Sequence, residues 1–229
     1  MTPKTEPALA AADGLFRNLR QAALPAWRTY VDHPFVRGLG DGSLPEAAFR
    51  RYLVQDYLFL IQFARAYGLA AYKAQTLDDI RQAAGGLHAI ADVEMRLHVE
   101  FCRGWGLSEA DMQAAPEAPE TMAYTRYVLE CGLAGDLLDL HVALAPCILG
   151  YGEIGLALAA KSPPGNPYQP WIDMYAGEEY QAAARSEAEQ LDRLLARRGG
   201  DGRMEDLRRI FAQATELEAA FWDMGWRAG

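Results

Sequence analysis

The chain has 229 residues and a mass of 25.3 kDa, long enough to bury a large core without disulfide or metal staples. Its composition is 51% apolar and 10% aromatic, which excludes disorder, and a net charge of −9 argues against a nucleic-acid or anionic-membrane surface and for a small-molecule or protein partner. Cys102, Cys131 and Cys147 form no Cys-x-x-Cys pair, and Met1 to Glu6 lacks a basic segment leading into an apolar one, so a cytoplasmic protein with reduced thiols is expected.

Residues 1–8 read as a frayed tail and Leu9 to Tyr30 as a helix disturbed at Pro25. His33-Pro34-Phe35-Val36 reads as a break and Gly38 to Gly42 as a turn. Ser43-Leu44-Pro45-Glu46 then supplies a cap, an early proline and an acidic first turn for a helix reaching about Lys73. Along it Tyr52, Asp56, Phe59, Phe63 and Tyr67 recur at steps of four, three, four and four, so Asp56 lies inside an aromatic stripe. A carboxylate on a core face is costly unless partnered, so Asp56 is expected to meet either a tyrosine or backbone group that fixes the packing, or a ligand.

Thr76 to Trp105 reads as a third helix, ended by Gly106, with Glu94, His98 and Cys102 four residues apart. The Glu-x-x-His spacing of helical di-iron sites is absent, so the expectation is a buried Glu94–His98 structural pair and no metal. Ser108 to Ala118 forms a short capped turn and link, and Glu120 to Leu133 a helix with Thr121, Tyr124, Val128 and Cys131 on one face.

Gly132 and Gly135 separate that helix from Asp136 to Ala160. The apolar run from Leu140 to Ala160 is interrupted by His141, Pro146 and Glu153, so it reads as a buried helix of a soluble protein and not as a membrane span. Cys147 and Tyr151 share one face of it, Gly150 and Gly155 leave room beside them, and Pro146 is expected to kink or loosen the turn before the cysteine. That stretch alone fits an inert core cysteine as well as a pocket wall carrying a nucleophile.

Ser162-Pro163-Pro164-Gly165 is the strongest break, yet composition does not change across it, so no domain boundary is placed there. Tyr168 to Tyr175 reads as a short helix, Glu178 to Arg198 as an amphipathic one, and Met204 to Trp226 as the last. In that last helix Phe211, Thr215, Glu218 and Trp222 fall at steps of four, three and four, which embeds a second carboxylate among aromatics. No alternating strand pattern occurs. The expectation is a single all-α domain over residues 1–229, with seven or eight helices.

A thiol, two carboxylates and several phenols from separate helices imply one polar pocket inside the bundle. Its parts suit covalent catalysis: a nucleophile, a carboxylic acid whose pKa burial would raise, and donors that orient a flat heterocycle. With no glycine-rich phosphate loop and no Cys-x-x-Cys site, the pocket is expected to work without nucleotide, cofactor or metal.

His33-Pro34-Phe35-Val36, Gln55-Asp56-Tyr57, Glu94-Met95-x-Leu97-His98-x-Glu100-Phe101, Tyr124-Thr125, Pro146-Cys147 through Tyr151-x-Glu153-Ile154-Gly155 and Glu218-x-x-Phe221-Trp222 occur in that order. Together they resemble the cysteine-bearing branch of the TenA, or thiaminase II, family. The resemblance implies a haem-oxygenase-like helical fold without haem, a homotetramer, and a role in thiamin salvage. The implied reaction converts 4-amino-5-aminomethyl-2-methylpyrimidine to its hydroxymethyl counterpart and ammonia, and many members also cleave thiamin.

It implies further that Cys147 is the nucleophile and Glu218 the acid for the leaving group. Asp56 would hold the ring nitrogen and amino group, and Tyr124, Tyr151 and Tyr175 would line the slot. The family often has a tyrosine three residues after the aspartate, thought to polarise the cysteine, where this chain has Phe59; the resemblance then implies a slower reaction and not a different one. Cys102 and Cys131 are expected in the core, and His33 is expected to cap or orient a loop. The rival readings are a non-catalytic pyrimidine-binding or regulatory protein and a cofactorless oxidase or haem protein, the last lacking a histidine on the first helix.

Overall fold

A computed structural model of the chain describes residue 11 and residues 13–229; the expected tail over 1–8 and the expected helix start at Leu9 lie outside the described residues. Among those described, every regular element is helical. They are α1 (Leu15–Ala22), α2 (Leu24–Val31), α3 (Pro34–Asp41), α4 (Glu46–Lys73), α5 (Leu77–His88), a π-helical turn (Ala89–Glu94), α6 (Met95–Gly104), α7 (Glu109–Ala114), α8 (Pro119–Ala134), α9 (Leu137–Ala159), α10 (Gln169–Ala176), α11 (Glu178–Arg198) and α12 (Arg203–Trp226).

Three expectations are corrected. The first helix is two, because Pro25 cannot donate to the preceding turn and instead sits in the first turn of α2. Residues 34–41 are a helix and not a break: Pro34 occupies the first helical position and His33 Nδ1 accepts from the Phe35 amide at 3.1 Å. Gly38 and Gly40 lie inside that helix because of close approach, since a Cβ would stand 3.1 Å from Leu44 and 2.6 Å from Leu158; only Gly42, at φ +79°, makes the turn. The expected helix over 76–105 is divided by the π-helical turn. Short elements therefore raise the number of α-helices to twelve among the described residues.

Helix α9 is the axis of the bundle and packs against α8, α10, α11 and α12. An Asp136–Asp139 capping box starts it, and Arg203 holds Asp139 at 3.0 Å. The helix continues through Pro146, whose carbonyl accepts from the Tyr30 hydroxyl at 3.3 Å. It is long and apolar enough to cross a membrane by composition, but its most apolar stretch is 67% buried against neighbouring helices. Glu153 anchors α1 and α2 to it, accepting from Arg20 at 2.9 and 3.0 Å and from the Trp27 indole at 3.2 Å.

The room beside the glycines of α9 is filled. A Cβ on Gly150 would stand 2.3 Å from the Tyr30 ring, and one on Gly155 would stand 2.5 Å from the Tyr175 carbonyl carbon. Because backbone cannot step aside as a side chain can, Gly155→Ala is expected to push α10 outward. The expected cost is about 1–3 kcal/mol in chemical denaturation; an unchanged midpoint would contradict this packing.

Helices α5 and α11 are joined by Asp79, whose carboxylate accepts from Arg197 at 2.7 and 2.8 Å, Gln190 at 2.9 Å and Thr76 at 2.8 Å. The Arg197 hydrogen bonds hold its carboxyl well below the usual range. A depressed folded-state pKa stabilises above the unfolded value of about 3.9 and is lost as pH falls below it. Asp79→Asn is thus expected to cost about 1.5–3 kcal/mol in urea at neutral pH. The gap to wild type should close towards pH 2; one that stays constant would show that the charge does not stabilise the fold.

Candidate active site

Each residue that the sequence places in the pocket is on a different turn of the helices around α9. Helix α4 presents Asp56 and Phe59, α8 Tyr124, α9 Cys147 and Tyr151, α10 Tyr175, and α12 Glu218. All seven are buried. Tyr124 donates to Glu218 Oε1 at 2.9 Å, and Glu218 is near enough to Cys147 for its charge to act on the thiol. Phe59 packs on Tyr124 with ring centroids 5.0 Å apart. Tyr151 lies against Tyr175 at 4.9 Å and Trp222 at 5.3 Å, and Trp171 backs Tyr175 at 4.4 Å, one helical turn away as expected.

The partner of Asp56 is His98. Their Oδ2 and Nε2 atoms are 2.6 Å apart and both side chains are almost fully buried, while His98 Nδ1 donates to the Glu94 backbone carbonyl at 2.9 Å. A carbonyl can only accept, so Nδ1 carries a proton, and Nε2 shares a proton with Asp56 Oδ2. Burial opposes a charge on the ring, but the Asp56 hydrogen bond, with the charges of Asp56 and Glu94, outweighs it and raises the His98 pKa.

This corrects the expected Glu94–His98 side-chain pair. Glu94 contributes its carbonyl to His98 and turns its carboxylate towards Tyr175, whose hydroxyl donates at 2.6 Å. Helical spacing places two residues on one face but cannot say which of their atoms meet.

Burial raises the Glu218 pKa to about 8, against the Tyr124 hydrogen bond and helped by repulsion from Asp56. Glu94 rises to about 7 by burial and the Asp56 charge. The Cys147 thiol is pushed well up, first by burial and then by the charges of Glu218, Glu94 and Asp56. Cys147 is therefore a protonated thiol at rest.

A cavity of about 620 Å³, ordinary for a small-molecule site, leads in to Cys147 from the surface. Phe63 and Tyr67 of α4, the π-helical turn, and Tyr180 and Glu187 of α11 form its walls. Glu187 is held by His141 Nδ1 at 2.7 Å and by Gln82 at 3.0 Å. His141, unassigned from sequence, thus supports the wall from behind by holding Glu187, and only tertiary contact with α11 reveals it. Away from the site His33 caps α3, Cys102 is in the core and Cys131 is only half-buried. Among the described residues no cluster of three or more His, Cys, Asp and Glu side chains is placed to hold a metal ion.

Fold and site together define a haem-oxygenase-like helical bundle built around a buried thiol and its carboxyl neighbours. A domain from Shewanella denitrificans described as having a heme oxygenase-like fold superposes with a TM-score of 0.71 at 15% identity, covering 93% of this chain and 92% of that one. The TENA/THI-4/PQQC family model matches residues 20–228. A Halalkalibacterium halodurans protein named aminopyrimidine aminohydrolase is 37% identical over 213 residues, 91% of this chain and 94% of that protein. The structure of a Silicibacter protein described as a TenA family transcription regulator superposes with a TM-score of 0.89 at 47% identity, covering 92% and 96% of the two chains. The chain belongs to the TENA/THI-4/PQQC family, and it is an enzyme.

Proposed function

We propose that the protein hydrolyses 4-amino-5-aminomethyl-2-methylpyrimidine to the hydroxymethylpyrimidine and ammonia, as a step of thiamin salvage, through covalent attack by Cys147. The observation that carries this reading is the Cys147 thiol on the wall of an open cavity, with the buried carboxyls of Glu218, Glu94 and Asp56 near enough to act on it. The relative named aminopyrimidine aminohydrolase supports the substrate class.

In this reading the pyrimidine enters by the cavity to reach Cys147, and Tyr151, Tyr175, Tyr124 and Phe59, none of which lines the open cavity, form the slot around its ring once it is bound. Asp56, positioned by His98, holds the ring nitrogen and the 4-amino group. Cys147 sulfur bonds to a ring carbon as its proton passes to Glu218, and the ring accepts the electron pair. That pair then returns to form the exocyclic methylene, the C–N bond breaks, and Glu218 gives its proton to the departing amine. Water adds to the methylene, the C–S bond breaks, and the aromatic ring and the thiol are restored. The balance is one aminomethylpyrimidine and one water consumed, one hydroxymethylpyrimidine and one ammonia formed.

A buried carboxyl near pKa 8 can serve as acceptor and then as donor close to neutral pH, which is what the first half of the sequence needs. Thiamin, whose thiazole leaves without a proton, would be a further substrate of the same slot, and a homotetramer in the cytoplasm is the assembly proposed. A regulatory reading has in its favour the description of the Silicibacter neighbour. Against it, a net charge of −9 does not suit DNA, and binding alone needs no thiol. The deciding measurement is ammonia release from the aminomethylpyrimidine by purified protein, alongside its binding by calorimetry. Release with hydroxymethylpyrimidine as the other product supports the hydrolase; binding with no release overturns it in favour of the binding protein.

A further inference from the structure

Three carboxyls act on Cys147: Glu218, Glu94 and Asp56. They differ in what else they touch. Asp56 is tied up by His98 at 2.6 Å. Glu218 sits behind the sulfur with Tyr124 and is absent from the cavity wall. Glu94 alone of the three lines the open cavity beside Cys147, so it is the one of the three that water in the cavity can reach.

The local backbone makes that position. Residues 89–94 form the π-helical turn, a distortion that helices retain mostly where function needs it. Ala89, Ile90, Val93 and Glu94 of that turn all face the cavity. Downstream, His98 keeps its register on Asp56 while the Tyr175 hydroxyl steadies the Glu94 carboxylate at 2.6 Å. The mechanism above leaves one proton without a named acceptor, that of the water which attacks the methylene.

We propose that Glu94 is the general base of the second half-reaction, taking a proton from water as its oxygen bonds to the exocyclic methylene. This rests on the hydrolase reading and extends it. Glu218 serves the sulfur and the amine from behind, and Glu94 serves the water from the open side. The water O–H bond breaks towards a Glu94 oxygen, the new C–O bond forms, and the electron pair moves into the ring. The C–S bond then breaks, and the proton on Glu94 returns through solvent to the departing thiolate. Partial ionisation with a pKa of about 7 leaves a basic form of Glu94 available near neutrality.

The order of events supplies the test, because ammonia leaves before water adds. Glu94→Gln keeps an oxygen for Tyr175 and removes the base. Wild type should release ammonia in steady turnover. Glu94→Gln should give a burst of about one ammonia per subunit and then turn over at least about a hundredfold more slowly. Azide, a nucleophile with no proton to lose, should restore the rate and yield the azidomethylpyrimidine. Glu218→Gln should show no burst and no rescue. Equal melting temperatures and equal affinity for the hydroxymethylpyrimidine, together with near-wild-type turnover by Glu94→Asp, would exclude a fold defect. Turnover of Glu94→Gln within threefold of wild type, or a slow variant with neither burst nor azide product, would overturn the assignment. Failure of wild type to release ammonia would instead overturn the hydrolase reading itself.

Discussion

Cys147→Ser is expected to lower ammonia release by ~10³-fold or more while the protein still folds and still binds the pyrimidine. The site already works against ionisation of the thiol, since burial and three carboxyls raise its pKa. A serine hydroxyl, far less acidic to begin with, gains nothing from the same neighbours. Serine is close to cysteine in size, so the packing around position 147 should remain in place. Ammonia assays beside a thermal melt decide it. A serine variant retaining more than a tenth of the activity would mean that water attacks the substrate directly and that Cys147 only packs.

Asp56→Ala is expected to be the most destabilising single change in the site. It leaves the buried His98 ring without its partner, and breaking a buried pair from one side costs about 3–5 kcal/mol. For a chain of this size that corresponds to a fall of roughly 10 °C in Tm. The companion variant Asp56→Ala with His98→Leu removes both partners, and it should recover part of the loss in stability without any activity. Equal stability of the single and double variants would show that the two side chains are not coupled.

The pair illustrates how far the sequence could be read. The stripe of Tyr52, Asp56, Phe59, Phe63 and Tyr67 is a property of one helix, and its spacing alone places the carboxylate in the core. Glu218 follows in the same way from Phe211, Thr215 and Trp222, and the face shared by Cys147 and Tyr151 follows from a step of four. The helical class, the limits of the long helices and the gathering of these residues about one axis were legible because each depends on periodicity within a continuous segment.

Short segments were read less well. A Pro-Phe-Val run with glycines looks like a break, yet Gly38 and Gly40 serve helix packing against Leu44, beyond a turn, and Leu158, distant in sequence. Pro25 was seen as a disturbance, but its effect was to restart a helix. For the glycines the deciding contact lies outside the segment itself.

By itself, the sequence determined that the protein is all-helical, that α9 is buried, and that Asp56, Cys147 and Glu218 stand on core faces, because amphipathic spacing sorts side chains by burial before any partner is known. Tertiary structure decided what those side chains meet. It gave the His98 ring to the Asp56 carboxyl and the Glu94 backbone carbonyl and not to the Glu94 carboxyl, joined His141 to Glu187 across α9 and α11, and put Glu94 beside Cys147 on the cavity wall. Hydrogen bonds between helices depend on the angle and distance at which two surfaces pack, and no single segment of the chain contains that information.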